Sequence, residues 1–230
     1  MLWSFINILR RFVIIGSIPF LILTTNIRCV INSEAFFSYG FEAYQVQEYT
    51  GIEKDQLEYA GNQIRSYFNN GEEFIAISVI KGGILIENLF SDREVLHMKD
   101  VKTLVKWVYR VQILSLISLI AAILAGFFTN NPRHLMLSLR MIGFSGGFTL
   151  VLFVLVAMGV AISFDKLFLL FHLISFRNDL WMLDPTQDYL IAMFPQGFFF
   201  TATILIASLT LLEAILIWLF PKIIGRFWKI

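Results

Sequence analysis

Residues 91–128, SDREVLHMKDVKTLVKWVYRVQILSLISLIAAILAGFF, decide the fold class. No proline interrupts the run, and glycine appears only near its end, at Gly126. The first half alternates charged and apolar residues at helical spacing, while from Trp107 onward the only charge is Arg110. The 22 residues from Trp107 to Phe128 make a helix of roughly 33 Å, long enough to cross the hydrocarbon core of a bilayer. The stretch therefore predicts one unbroken helix, polar in its first half and lipid-soluble in its second.

The rest of the chain repeats the apolar pattern. It is 57% hydrophobic and 16% aromatic with a mean hydropathy of +0.73, which predicts an α-helical integral membrane protein. Upstream, Arg10 and Arg11 precede an apolar run from Phe12 to about Ile31. No small-residue cleavage site follows, so the run is expected to be an uncleaved first span, with Pro19 inside it. Downstream, a third span is expected over Met141 to Ser163 and a fourth over Phe198 to Leu219, with TNNPRHLMLSLR (residues 129–140) as a short connection.

Residues 33–105 form the long polar segment. Thr50-x-x-Glu53 resembles a capping box, and Ile52, Leu57, Ala60, Ile64 and Phe68 trace one helical face that ends at Asn70-Gly71. Phe74–Ile80 and Ile84–Phe90 flank Lys81-Gly82-Gly83 as the arms of a hairpin. The expected organisation is residues 1–32 as the N-terminal segment with span 1, 33–105 as a small extracytoplasmic α+β cap, and 106–230 as spans 2–4 with an outer loop at 164–196.

Charge predicts orientation. The N-terminus, the 129–140 connection and the tail carry Arg10, Arg11, Arg133, Arg140, Lys222, Arg226 and Lys229 and no acid, whereas 33–105 and 164–196 hold sixteen of the seventeen acids. The positive-inside tendency then places both termini in the cytoplasm. His97 and His172 fall on the outer side, and His134 on the inner side.

Several chemistries lack their residues. One cysteine, Cys29, excludes an intramolecular disulfide framework and a cysteine zinc cluster. The three histidines show no metal-ligand spacing, and no glycine-rich phosphate loop, nucleotide fingerprint or GxSxG elbow occurs. No cofactor, metal or nucleic acid is expected.

Two constellations remain. Arg93, Glu94, His97 and Asp100 stand three or four residues apart and share a helical face. A neighbouring carboxylate can hold one imidazole N–H and leave the other nitrogen basic. The competing reading is an exposed amphipathic helix with ordinary ion pairs. His172 follows Phe164, Phe168 and Phe171, with Asp165 seven residues before it and Asp179 seven after, so that one helical stripe can hold all three. A partly desolvated imidazole has a tunable pKa; the competing reading is an interfacial histidine that is merely hydrogen-bonded. Arg177 and Trp181 offer N–H donors nearby. Glu213, inside the fourth span, is expected to pair with a cationic residue such as Arg140.

These residues resemble a known family. Glu94-x-x-His97-Met98-x-Asp100-Val101-Lys102, with Phe171-His172, Trp181, Asp184-Pro185, Asp188 and Met193-Phe194-Pro195, is similar to the bacterial lipoprotein intramolecular transacylases over nearly the whole chain. The resemblance implies an enzyme of the cell membrane whose partner is a diacylglyceryl-modified lipoprotein drawn from membrane lipid surroundings. It implies transfer of the sn-2 acyl chain from its ester oxygen to the α-amine of the lipoprotein's N-terminal cysteine, giving a lyso-form lipoprotein. His97 and His172 then carry the catalytic roles, with Arg93, Glu94, Asp100, Arg177, Trp181, Asp184 and Asp188 as binding or supporting residues. The residues suit this chemistry: an α-amine with a pKa near 8 must lose a proton before it attacks an ester, and the departing alkoxide needs one back. Donor and acceptor share one molecule, so proximity supplies much of the rate without an enzyme nucleophile. The rival expectations are a non-catalytic membrane protein that binds a lipid or protein partner through its outer segment, and a transporter, which wants polar groups and broken helices at the midplane.

Overall fold

A computed structural model describes residues 2–127 and 132–227. The Arg133, His134, Arg226 and Lys229 side chains lie outside the described residues. The elements, in chain order, are helices α1 (Leu2–Ile31), α2 (Glu34–Ala43), α3 (Val46–Thr50) and α4 (Lys54–Asn69), then strands β1 (Val79–Lys81) and β2 (Ile84–Ile86). Five helices follow: α5 (Asp92–Phe127), α6 (Pro132–Ile162), α7 (Phe164–Ser175), α8 (Tyr189–Met193) and α9 (Gln196–Phe227). Helices α1, α5, α6 and α9 are long and apolar enough to cross a membrane. In α5 that property belongs to the part from Trp107 on, because residues 92–106 carry seven charged side chains.

The chain divides into two compact units. The first comprises residues 1–28, 108–162 and 205–230. Ile14, Ile18 and Ala122 form its core, packed against Val13, Leu119, Met141, Ile142 and Ile217. Small residues bring α6 and α9 together: a Cβ on Gly146 would stand 2.6 Å from Trp218 N and 2.7 Å from Ala214 O. Polar side chains tie the remaining helices. Asn26 Nδ2 donates to Thr210 Oγ1 (3.0 Å) and Glu213 Oε2 (2.8 Å), and Gln112 Nε2 donates to Thr25 Oγ1 (2.9 Å). Glu213 is thus held by Asn26, and no ion pair joins it to Arg140 among the described residues. The expected 129–140 connection is largely helical, because α6 already starts at Pro132, a residue suited to the first helical turn.

The second unit comprises residues 29–107 and 163–204. Ser33 caps α2 by accepting the Phe36 N–H (3.2 Å). The buried face of α4 holds Leu57, Ala60, Ile64 and Phe68, with buried Ile52 just before it. Thr50 and Glu53 do not form the expected capping box. Thr50 ends α3 and bonds Val46 O (2.7 Å), Gly51 turns the chain at φ +66°, and Glu53 precedes α4 without a side-chain cap. Phe36, Phe37, Phe41, Phe194 and Phe198 interlock edge-to-face or tilted, with centroids 4.9–6.2 Å apart. Gly40 admits the Phe198 ring, since a Cβ there would lie 2.3 Å from it.

The hairpin is shorter than expected. Val79, Ile80 and Lys81 pair with Ile86, Leu85 and Ile84 around Gly82-Gly83, both at positive φ as a two-residue turn requires. Beyond it, Leu89 N donates to Ile77 O (3.0 Å), where the register would have placed Asn88. One extra residue therefore bulges from the second arm and ends the regular ladder.

Candidate active site

The site is built on α5 and α7. Ser91 and Glu94 open α5 as a capping box that the sequence reading passed over. Ser91 N–H donates to Glu94 Oε2 (2.7 Å), and Glu94 N–H faces Ser91 Oγ (3.4 Å). The other carboxylate oxygen, Oε1, accepts the Leu190 N–H at the start of α8 (2.6 Å). Glu94 is 1% exposed, so both of its oxygens are committed to backbone and hold α5 against α8. Three residues on, His97 points into the unit at 7% exposure, and its Nδ1 is buried without a hydrogen-bond partner among the described residues.

His172, at 9% exposure, lies in the last turn of α7. Its Nδ1 stands 2.7 Å from Phe168 O. A carbonyl only accepts, so Nδ1 carries the proton and Nε2 keeps its lone pair. The two imidazoles lie 6.5 Å apart at an interplanar angle of 29°. Aromatic rings enclose them: Phe176 stands 5.1 Å from His97 and 5.7 Å from His172, while Phe168, Phe171 and Trp181 stand 4.5–5.1 Å from His172. This apolar wall penalises charge. Burial first, then the neighbouring His172, push His97 down to about 4, with Asp100 pulling the other way. Burial also lowers His172, partly offset by its bond to Phe168. Both histidines lie outside the membrane-spanning part of their chain segments, and both are neutral at pH 7.

The remaining sequence candidates gather around this pair in different ways. Asp100 accepts from Asn178 Nδ2 (2.8 Å), and Arg93 Nη2 donates to Asp179 O (2.5 Å); both bonds fasten the loop after α7 to α5. Neither Glu94 nor Asp100 hydrogen-bonds His97. Trp181 packs against His172 with centroids 4.9 Å apart and rings tilted by 36°, while its Nε1 donates to Asn178 O (2.9 Å), so its N–H is engaged. Arg177 is exposed. Asp184 closes a turn by accepting from Thr186 N and Oγ1 (2.9 and 2.7 Å), which hold its carboxyl below the usual range. Asp188 accepts the Asp184 N–H (2.8 Å) and stands 3.5 Å from Ser91 Oγ. Asp179 falls off the expected stripe, because α7 stops at Ser175 and Phe176 is extended. Lys102 is buried, donating to Asn70 Oδ1 (2.8 Å) and Glu72 O (2.6 Å).

Phe176 and Asn178 are the residues that sequence reasoning missed. The only signal was their position shortly after the histidine, in His172-Leu173-Ile174-Ser175-Phe176-Arg177-Asn178. A cavity of about 490 Å³ between α2, α3 and α4 is lined by Glu42, Glu48, Lys54 and Glu58 among others and by none of these site residues.

The family model "Lipoprotein intramolecular transacylase Lit" matches residues 12–199. A protein of Aquifex aeolicus (strain VF5), described only as uncharacterized, is 29% identical over 212 residues, 90% of each chain. The in meso structure of the membrane integral lipoprotein intramolecular transacylase Lit from Bacillus cereus superposes with a TM-score of 0.79 at 20% identity, covering 98% of this chain and 99% of that one. A structure of the same protein with a histidine-to-alanine mutation gives 0.75 at 19% identity, covering 99% and 97%. The structural likeness establishes the multi-pass membrane fold, and the family match spans both histidines and everything that encloses them. This chain belongs to the lipoprotein intramolecular transacylase (Lit) family, a family of membrane acyltransferases that act on lipoproteins.

Proposed function

We propose that this chain transfers the sn-2 acyl chain of a diacylglyceryl-lipoprotein to the α-amine of its N-terminal cysteine, leaving a lyso-form lipoprotein. His172 acts as the proton carrier. The observation that carries the reading is the pair of neutral imidazoles in one aromatic enclosure, with the His172 tautomer set by Phe168 O so that Nε2 is basic. As the neutral amine attacks the ester carbon, a C–N bond forms and the amine gives a proton to His172 Nε2. As the C–O bond breaks, His172 returns that proton to the glycerol oxygen. His97, whose Nδ1 has no partner, is free to donate an N–H to the oxyanion that develops on the ester carbonyl. Trp181, with its N–H engaged, shapes the wall. Arg93, Glu94, Asp100, Asp184 and Asp188 hold the backbone that positions the histidines, and the exposed Arg177 is left to meet the substrate or the membrane surface.

The charge pattern supports cytoplasmic termini with the site on the outer face of the cell membrane. In that position it meets lipoproteins that already carry their diacylglyceryl group. The test is mass spectrometry of a reporter lipoprotein's N-terminal peptide from a host that makes only the diacylglyceryl form. An N-acyl, S-monoacylglyceryl terminus is expected with the intact chain. It should be lost with His172→Ala and with His97→Ala while both variants remain membrane-inserted. Full transfer by either variant removes that histidine from the mechanism.

A further inference from the structure

The hairpin has one covered edge and one open edge. On the covered side, Gln56 Oε1 accepts the Ile80 N–H (2.9 Å), and Gln63 both accepts the Ser78 N–H (3.2 Å) and donates to Ser78 O (3.0 Å). Ile80 thus turns its N–H away from β2. Because Ile80 pairs with Leu85 across the ladder, Leu85 turns its own N–H and C=O away from β1, to the outer edge of β2. No side chain or backbone group among the described residues meets them there. The side chains around this edge are apolar and exposed: Ile84 at 71%, Leu85 at 59% and Ile80 at 47%.

The hairpin is tied to the histidines through β1, the strand beside the open one. Lys81, the last residue of β1, donates to Tyr189 Oη (3.0 Å). Tyr189 opens α8, whose next N–H, that of Leu190, is held by Glu94, one turn before His97 on α5. Resting on the transacylase reading above, we infer that the free edge of β2 receives the polypeptide just after the lipidated cysteine of the substrate as an added strand. A lipoprotein presents that segment as extended chain while its lipid end occupies the site, and such a segment offers partners for the outward N–H and C=O of Leu85. Pairing through backbone reads no particular sequence, and Ile80, Ile84 and Leu85 supply apolar contact on either side of the strand. An enzyme built this way accepts lipoproteins that differ after the cysteine.

The experiment compares a synthetic diacylglyceryl-cysteinyl decapeptide with diacylglyceryl-cysteine amide, using the full chain in proteoliposomes. The intact enzyme should show a higher kcat/KM for the decapeptide. Leu85→Pro removes the outward N–H and leaves the ladder bonds to β1 intact. It should lower kcat/KM for the decapeptide about fivefold, the loss of one net hydrogen bond, with turnover of the amide unchanged. Leu85→Ala, which keeps the N–H, should lose less. Equal kcat/KM for the two substrates in the intact enzyme overturns the inference, as does an equal loss on both with Leu85→Pro, which means that the hairpin only supports the site. Absence of turnover of either substrate by the intact chain instead removes the transacylase reading itself, and this inference with it. A bimane probe at Ile84→Cys, placed in a Cys29→Ser background because the native thiol is exposed, that is quenched by doxyl lipids without substrate assigns the tip to the bilayer and also overturns it.

Discussion

Replacing Glu94 by glutamine separates a strut from a catalytic acid. Glu94 is 1% exposed and accepts two backbone N–H groups, from Ser91 at 2.7 Å and Leu190 at 2.6 Å. Glutamine has the same shape but one acceptor oxygen and one NH2 group. One of the two N–H groups must then face a donor. The loss is one charge-assisted bond, worth about 1.5–3 kcal/mol, plus the cost of a buried N–H left unpaired, about 1–3 kcal/mol. Partial relaxation keeps the sum near 2–4 kcal/mol, which for a chain of this size lowers the melting temperature by roughly 5–15 °C. Intrinsic-fluorescence melts of the purified protein in detergent read the shift. Well below the new midpoint, Glu94→Gln should keep much of its transfer activity per folded molecule, because no hydrogen bond joins Glu94 to either imidazole among the described residues. An unchanged melt with abolished turnover would refute this and give the carboxylate a direct part in proton transfer.

The pH dependence follows from the same geometry. A substrate α-amine with a pKa near 8 sets the neutral side, and His172 lies below 6.5, so log kcat/KM should rise with unit slope between about pH 6.5 and 7.5; a slope of two there would mean that a histidine also titrates in that range. His97 moves from 6.5 to about 4 on folding, so the unfolded chain binds more protons between those values. The resulting stability is complete above about pH 6.5 and is lost as pH falls through 4, by roughly 3 kcal/mol. The fall in melting temperature over that range should shrink in His97→Phe, and an equal fall in the variant removes His97 as its source. Gly40→Ala drives a methyl to 2.3 Å from the Phe198 ring inside the aromatic cluster, which should cost about 1–3 kcal/mol and lower expression of folded protein; a neutral result would show that the ring moves freely. Gly146→Ala meets backbone of α9 rather than a side chain and should be less tolerated still, as read by size-exclusion profiles in detergent.

Much of this protein was legible in its sequence, for reasons that are local. Four long apolar runs announce four spanning helices because a bilayer demands that every backbone polar group be paired within the segment. The unbroken α5 followed from its spacing alone, and so did the buried face of α4. The hairpin turn followed from Gly82-Gly83, since two consecutive positive φ values favour residues without a Cβ. The histidines stood out for different reasons: His172 because it follows a run of phenylalanines, and His97 because Arg93, Glu94 and Asp100 share its helical face. The errors were also local. Thr50-x-x-Glu53 has the pattern of a capping box, but α3 and the Gly51 turn claim Thr50, while the pattern at Ser91-x-x-Glu94 was read for chemistry.

Partners distant in the chain were not legible. Pattern placed Asp100 beside His97, but Asn178, 78 residues away, takes its carboxylate. Pattern gave Glu213 to Arg140, whereas Asn26, 187 residues away, holds it. Periodicity marks which face of a helix is apolar because that property repeats within a few residues; it carries no information about which distant side chain completes a hydrogen bond. Sequence alone therefore determined that the chain crosses a membrane and carries one histidine on a charged helical face and another after a run of phenylalanines. The tertiary structure decided that the two rings share one aromatic enclosure, that Phe168 O sets the His172 tautomer, and that the buried Glu94 braces backbone instead of an imidazole. Those are facts of three-dimensional proximity, and a low-dielectric enclosure comes into being only when the segments that line it have packed.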